Sequence, residues 1–153
     1  MYELFIIAIS NPIQIGLYKN NELIETISKE GKTSDILPAI IDDILNKKII
    51  SKIYYVNGPG SYMAIKVAYI FLKTIAQIKN IPFMACSGFE LNKSSPIKAL
   101  GKKYFFLQSD GSISVKFLKK DDELFDFILP KILDKSIFFQ DTLPNYQLPV
   151  IGD

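Results

Sequence analysis

Short runs of apolar residues alternate with polar breaks over the first part of the chain. Residues 4–9 are apolar without interruption, which is typical of a strand buried on both faces, and Ser10, Asn11 and Pro12 end the run. Residues 13–18 and 23–28 are two further extended runs, joined by a polar four-residue connection that suits a hairpin. The opening of the chain therefore predicts a meander of three strands.

Helical periodicity follows the meander. Apolar residues recur at helical spacing over residues 34–48, and Thr33 or Ser34 is placed to cap this helix. A short strand at residues 53–56 runs into a Gly-Pro turn at 57–61, and Ser61 is placed to cap a second helix that ends near Lys79. Residues 82–85 return as a strand. This order of strand, helix and strand predicts a parallel crossover.

The pattern changes after Glu90. Residues 93–96 are typical of a linker, and extended runs at 104–108 and 112–118 flank a Ser-Asp-Gly turn, which predicts a hairpin. Residues 124–133 predict a helix interrupted at Pro130, and residues 137–139 predict a last short strand. We therefore predict an α/β fold in two parts: a main lobe at residues 1–92 and a short, reduced second lobe at residues 93–153.

Composition narrows the classes of function. The 153 residues are 48% hydrophobic and 22% charged, which provides enough apolar surface for a folded core. All 18 basic residues are Lys, and without the guanidinium fork of Arg a sequence-specific nucleic-acid reader is not expected. The absence of His removes the usual general base and the commonest metal ligand. Cys86 is the single Cys, so we expect neither a disulfide nor a zinc cluster.

No membrane segment is predicted. Glu3 stands where a signal peptide would carry positive charge. The most apolar long stretch, residues 62–78, contains two Lys and is shorter than the roughly 20 apolar residues that cross a bilayer. We expect a cytoplasmic protein, which also agrees with the single Cys.

The second helix is more apolar than a helix on one face of a sheet needs to be. Its polar side chains, Lys66, Lys73 and Gln77, form one thin stripe. We expect the centre of the apolar arc to face the sheet; its members are Ala64, Ala68, Phe71 and Ile75. The flank of the arc is then surplus; its members are Met63, Val67, Ile70 and Thr74. Either the first helix covers this flank or another protein does, and both can hold in part.

Candidate chemistry is sparse. The turn at residues 57–61 opens a helix and points backbone N–H groups at any anion, but Pro59 removes one N–H, and a plain strand-to-helix turn explains the same residues. Asp110 is the candidate metal ligand of the alternative class of function, a small nucleotide-binding ATPase or phosphotransferase. Asp before Gly111 is also common in turns for local hydrogen bonding. Cys86 has no His to activate it, which favours a buried structural thiol over a peptidase nucleophile.

Four segments together resemble one known family. They are the buried first strand, the sequence IYYV running into NGPGSY at residues 53–62, the apolar helix that follows, and NIPFMACSGFE at residues 80–90. In these segments the chain is similar to the TsaB family, also called YeaZ. The resemblance implies the actin-like ATPase fold, which is ribonuclease H-like, with a mixed five-stranded sheet in the first lobe.

The resemblance also implies a function. Members of this family are non-catalytic partners of the paralogue TsaD in the threonylcarbamoyl transfer to the adenosine next to the anticodon of tRNA. For this chain it implies a scaffold that binds TsaD, with TsaE as a further partner, tRNA reached only through the complex, and a homodimer when TsaD is absent. The only cofactor that the resemblance suggests is ATP or ADP, bound at the partner interface. The implied interface comprises Gly58, Pro59, Gly60, Ser61, Met63, Val67, Ile70 and Thr74.

Two departures from the family pattern bear on catalysis. The family's first strand ends in Asp-Thr-Ser, whereas the matching residues here, Ile9 to Pro12, lack the acid that would organise magnesium and water. The catalytic paralogue binds metal through a pair of His, which this chain lacks. We therefore predict no catalytic residue, no metal site and no ATP hydrolysis by the isolated protein. The second lobe is also shorter than is usual for the family, so its contacts are not predicted.

Overall fold

A computed structural model describes residues 1–147, in which a mixed five-stranded sheet forms the centre. Its strands are β1 (Tyr2–Ile7), β2 (Ile13–Lys19), β3 (Glu22–Lys29), β4 (Ile50–Val56) and β5 (Phe83–Cys86). Their order across the sheet is β3-β2-β1-β4-β5. The first three strands pair antiparallel, and β4 lies parallel to both β1 and β5. The predicted meander, the parallel crossover and the mixed five-stranded sheet are confirmed.

Two helices cover one face of this sheet. They are α1 (Thr33–Lys47), which follows β3, and α2 (Tyr62–Lys79), which follows β4. Leu4 and Ile6 of β1 point toward the helices, while Phe5 and Ile7 point to the opposite face, and all four are fully buried. This explains why β1 is apolar without alternation: each face of the strand meets a different apolar layer. Burial of each such side chain contributes about 1.5–3 kcal/mol.

The opposite face of the sheet is covered by residues from the last part of the chain. Leu129, Leu133 and Phe138 pack in one apolar cluster with Phe5 and Tyr54. The predicted helix at residues 124–133 is wrong, because these residues form an extended segment without helix. Its backbone groups bond to distant parts of the chain, and Pro130 lacks the N–H that a helix interior needs.

The predicted strand at residues 137–139 is reduced to a single bridge. Phe139 and Ala85 exchange both backbone hydrogen bonds, at 2.8 and 3.0 Å, beside the outer edge of β5. The preceding residues, Lys135–Ile137, form one turn of 3-10 helix instead. This bridge partly covers an edge strand that would otherwise present unpaired backbone groups.

A second, smaller sheet contains β6 (Ile97–Lys98), β7 (Lys103–Leu107) and β8 (Ile113–Phe117), paired antiparallel in that order. The predicted hairpin around Asp110 is therefore confirmed. One face of this sheet packs on Phe89 through Ile97 and Phe105. The division of the chain at residue 92 stays a prediction, and residues 148–153 of the predicted second lobe lie outside the described residues. In the described part of the chain, no helix is long and apolar enough to cross a membrane.

Candidate functional site

The turn at residues 57–61 is fixed to the body of the protein by backbone hydrogen bonds. The N–H of Asn57 donates to the carbonyl of Cys86 at 3.0 Å, and its side-chain amide donates to the carbonyl of Leu143 at 3.0 Å. The N–H of Ser61 donates to the carbonyl of Ile9 at 3.2 Å. The turn is thereby held between the ends of β1 and β5 and the segment near Leu143, and α2 starts from a defined position.

The two glycines of the turn allow close approach of the backbone. Gly58 has a φ of +127°, a region that favours glycine, and its carbonyl accepts from the N–H of Gly88 at 2.9 Å. A Cβ on Gly60 would lie 2.7 Å from the Cβ of Ile9, which is too close for an undistorted contact. These residues therefore have a structural role in the chain itself, whether or not a partner contacts the turn.

The residues of the implied interface differ in accessibility within this turn. Gly58 and Pro59 are buried, Gly60 is half-buried and Ser61 is exposed. Gly58 and Pro59 therefore shape the turn from inside, and only Gly60 and Ser61 have accessible surface. Ser61 occupies the N-cap position of α2, yet its side chain makes no capping hydrogen bond, contrary to expectation.

The buried face of α2 differs in part from the face that the sequence predicts. The buried residues of the helix are Ile65, Ala68, Leu72 and Ala76. Ala68 is buried as predicted, but Ala64, Phe71 and Ile75 are only half-buried. The helix is apolar around most of its circumference, so its periodicity alone did not determine which apolar residues meet the sheet.

An exposed apolar stripe runs along α2 next to its polar side chains. Met63 is 62% exposed and Ile70 is 53% exposed, Thr74 is exposed, and Val67 is half-buried. Ile78, which is 71% exposed, extends the same stripe by one turn. The flank predicted from the sequence did not include Ile78, although its position four residues after Thr74 places it on the same side of a helix. Below, "the α2 stripe" means these five residues.

The first helix covers the α2 stripe only in part. Met63 and Val67 line a cavity of about 510 Å³ whose other wall includes Thr33 and Ser34, at the start of α1. Apolar residues of both helices belong to one cluster on the sheet. The stripe beyond Val67, toward Ile78, remains exposed. The first helix therefore borders one end of the surplus apolar flank, the rest of the flank is open, and coverage by another protein stays a prediction.

The two features that an ATPase would use, Asp110 and the turn at residues 57–61, do not lie at one site. Asp110 is exposed at the tip of the β7–β8 hairpin, where its carboxylate accepts from the N–H and the hydroxyl of Ser112 at 2.9 and 2.6 Å. These hydrogen bonds lower the pKa of Asp110. Asp110 does not line the cavities that border the turn at residues 57–61. Among the described residues, no group of three or more His, Cys, Asp or Glu side chains is arranged to hold a metal ion.

Cys86 is buried at the end of β5, next to the turn at residues 57–61. Burial, together with the charge of Glu90, raises the pKa of its thiol, so the reactive thiolate is disfavoured. The position agrees with the structural thiol that the sequence favours.

The turn between β1 and β2 lies beside the start of α2. Ser10 and Asn11 line the cavity between the two helix starts, and they also line a second cavity of about 520 Å³ on the side of the smaller sheet. The lining of that second cavity also includes Lys98, Lys103, Tyr62 and Tyr146. The side-chain carbonyl of Asn11 accepts from the N–H of Gly31 at 3.2 Å.

Comparison with solved structures gives the fold. YeaZ from Pseudomonas aeruginosa aligns over 74% of this chain and 66% of its own, with a TM-score of 0.62 and 15% sequence identity. An uncharacterized protein with similarity to peptidase YeaZ from Pseudomonas aeruginosa aligns over 82% of this chain and 70% of its own, with a TM-score of 0.57 and 14% identity. This chain has the fold of YeaZ. No protein-family model matches the chain, and no curated protein matches it in sequence.

The likeness to YeaZ confirms the predicted fold class. The resemblance implied a mixed five-stranded sheet in the first lobe, and the structure has this sheet with two helices on one face. The aligned part of this chain spans just under two thirds of the YeaZ chain, at 66% of its length. The likeness therefore concerns the fold.

Proposed function

We propose that this protein is a non-catalytic subunit of the TsaB (YeaZ) type. In this proposal it binds a TsaD-like paralogue and supports threonylcarbamoyl transfer to the adenosine next to the anticodon of tRNA, and it reaches tRNA only through the complex. The observation that carries the proposal is the α2 stripe, an exposed apolar surface on a protein with the fold of YeaZ. Exposed apolar surface of this kind is typical of a protein–protein contact.

The lack of candidate catalytic groups supports a scaffold role. The turn after β1 presents Ser10 and Asn11 where ATP-hydrolysing relatives of this fold carry an acid. The sequence contains no His, and the thiol of Cys86 is buried with a raised pKa. A scaffold needs none of these groups, whereas an enzyme would need a replacement for each one.

The α2 stripe gives the proposal a defined surface. Ile70 lies at its centre and is more exposed than Val67, so a change at Ile70 disturbs the fold of the free protein less. The exposed Ser61 and the half-buried Gly60 lie at the N-terminal end of the same surface. We therefore place the centre of the proposed contact at Ile70 and its edge at the turn before α2.

The test is the binding of Ile70→Glu to the TsaD paralogue from the same organism. A charge in a desolvated helix–helix contact costs about 3 kcal/mol or more, which corresponds to at least a hundredfold weaker binding by calorimetry. In the free protein the same change at an exposed site costs about 0.5 kcal/mol or less. Ile128→Glu is the matched control, because Ile128 is 63% exposed and lies outside α2.

Four results separate the explanations. Lost binding with an unchanged melting temperature, for Ile70→Glu but not for Ile128→Glu, supports the proposal. Loss of both binding and stability means that the α2 stripe is part of the core, and unchanged binding means that the contact lies elsewhere. ATP turnover by the protein without TsaD, abolished by changing Ser61, would favour the alternative class, a small nucleotide-binding ATPase or phosphotransferase.

A further inference from the structure

The smaller sheet has one covered face and one open face. Residues opposite each other in neighbouring strands share a face, so Ile97, Phe105 and Val115 form one row across the three strands. This row packs with Phe89 in one apolar cluster, so its face is covered. The alternate residues of the same strands point the other way, and none of them belongs to an apolar cluster of the described residues. Below, "the open face" means these residues, which are Lys98, Tyr104, Phe106, Ser114 and Lys116.

Two aromatic rings lie on the open face, both in the central strand. Tyr104 and Phe106 are two residues apart in β7, so their side chains leave the same side of the strand about 7 Å apart. Both side chains are half-buried. Among the described residues, neither ring pairs with another aromatic ring. The open face therefore offers two flat apolar surfaces at a fixed spacing.

The open face is also basic. Lys98 and Lys116 stand directly opposite Tyr104 in the two outer strands. The Nζ of Lys98 lies 5.2 Å from the ring centroid of Tyr104, and the Nζ of Lys116 lies 5.1 Å from that of Phe106. Neither Lys forms an ion pair with a described residue, and β6, β7 and β8 contain no Asp or Glu. The charge and the rings together complement a ligand that is both planar and anionic.

We propose that the open face binds single-stranded nucleic acid, with one base stacked on each ring and the backbone phosphates beside Lys98 and Lys116. Bases stack on aromatic side chains, and neighbouring lysines neutralise the phosphates. The ring spacing of about 7 Å is about twice the roughly 3.4 Å rise of a stacked strand, so the two bases must be unstacked from each other. A loop or a free end meets this condition, and a duplex does not. Stacking is tolerant of base identity, which suits a chain without Arg.

The lysines over the rings can be displaced at little cost, because both are exposed and cation–π contacts at exposed sites are weak. A base that stacks on Tyr104 replaces the ammonium group, which is then free to pair with a phosphate. Two stacked bases and two lysines give an expected dissociation constant on the order of 0.1–1 mM. Binding of this strength does not hold an RNA on the free protein, so the open face acts on a strand that a larger complex already holds.

This inference does not rest on the proposed function, because the open face and the α2 stripe share no residue. Binding is therefore tested in the free protein, without TsaD, and the outcome leaves the TsaD experiment untouched.

The experiment is an NMR titration of the whole chain at low salt with hexauridylate, with a blunt-ended RNA duplex and with linear polyphosphate. Saturable shifts of the amide signals of Tyr104, Phe106 and Lys116 are expected with hexauridylate, and at least fivefold weaker binding is expected with the duplex and with polyphosphate. Equal binding of polyphosphate would show a basic patch without base stacking and would overturn the proposal. So would equal binding of the duplex, or no saturable shift with hexauridylate.

Variants of the aromatic residues test the stacking. Tyr104→Leu and Phe106→Leu remove a ring and keep apolar bulk, so each should weaken hexauridylate binding by about fivefold or more. Phe117→Leu is the matched control, because Phe117 is 62% exposed and follows Lys116 in β8 but points to the other face of the sheet. This control and Tyr104→Phe, which keeps the ring, should leave affinity within about twofold. Unchanged affinity in both leucine variants of the open face, or an equal loss in Phe117→Leu, would exclude the open face as the site.

A variant of Lys116 tests the phosphate contact. Lys116 makes no hydrogen bond with a described residue, whereas the Nζ of Lys98 donates to the carbonyl of Gly101 at 2.7 Å, so Lys116 is the cleaner site to change. Lys116→Gln should weaken binding and lower the slope of log affinity against log salt by about 0.7. Lys29→Gln, a change of an exposed Lys in β3, should keep both values. An unchanged salt slope in Lys116→Gln would contradict the proposal.

Discussion

The hydroxyl of Tyr18 joins the first sheet to the segment that covers its second face. Tyr18 lies in β2, its ring is fully buried, and its hydroxyl donates to the carbonyl of Pro130 at 2.6 Å. A second side chain of β2, Gln14, donates to the carbonyl of Phe127 at 2.9 Å. We expect Tyr18→Phe to loosen this segment, because the change removes the hydrogen bond and keeps the packing of the ring.

The magnitude follows from what the change leaves behind. A net intramolecular hydrogen bond contributes about 0.5–1.5 kcal/mol, and a buried acceptor without a partner costs about 1–3 kcal/mol. Pro130 is half-buried, so water can reach part of its surroundings and the loss should lie near 1–2 kcal/mol. For a chain of this size that corresponds to a melting temperature lower by roughly 3–6 °C.

The assay combines global and local readouts. Urea unfolding gives the loss of stability, and amide exchange at Leu133, whose N–H donates to the carbonyl of Asn21 at 2.8 Å, gives the local opening of the segment. Tyr104→Phe is the control, because within the described part of the chain the hydroxyl of Tyr104 makes no hydrogen bond. If Tyr18→Phe lost no more stability than this control, and exchange at Leu133 were unchanged, the reasoning would be refuted.

Three further predictions concern stability and association. Burial raises the pKa of Tyr18, Tyr54 and Tyr55 in the folded protein, so the contribution of these three side chains to stability should be constant below pH 10, the unfolded value. Above pH 10 this contribution should fall by about 1.4 kcal/mol per pH unit for each Tyr, and a flat urea midpoint from pH 10 to 11 would contradict the reasoning. Gly60→Ala should cost about 1–3 kcal/mol in urea unfolding because its Cβ would meet Ile9, and a cost below about 0.5 kcal/mol would contradict it. Without TsaD the protein should form dimers through the α2 stripe, measured by sedimentation; only monomer at micromolar concentration would count against this.

The main sheet could be predicted from the sequence because its signals are local. The continuous apolar run of β1 requires burial on both faces, and the polar connection between β2 and β3 fixes a hairpin. The exposure of Met63 and Ile70 followed from the thin polar stripe of α2, since apolar residues on most of a helix cannot all reach one sheet. The partner role of these residues remains a prediction.

The segment after Glu123 could not be predicted because its partners are distant in the chain. Its apolar residues have a spacing that a helix could use, but Leu133 bonds to Asn21, and the N–H of Leu23 donates to the carbonyl of Lys131 at 2.9 Å. These contacts join residues about a hundred positions apart, and no local pattern contains them. The segment is extended because its apolar side chains cover the second face of the sheet while its backbone groups form hydrogen bonds at the edge of β3.

The surroundings of the two helix starts could not be predicted from each helix considered alone. A Ser or Thr before each helix favours a side-chain cap when that helix is considered alone, and neither cap forms. Because β2 pairs antiparallel with both β1 and β3, and β4 pairs parallel with β1, strands β3 and β4 run in the same direction. The helices that follow them therefore start at the same edge of the sheet, and residues at both starts line one cavity. A Ser or Thr that favours a cap when one helix is considered alone is thus placed, by the directions of β3 and β4, beside the start of a second helix, and no local pattern in the sequence contains that neighbour.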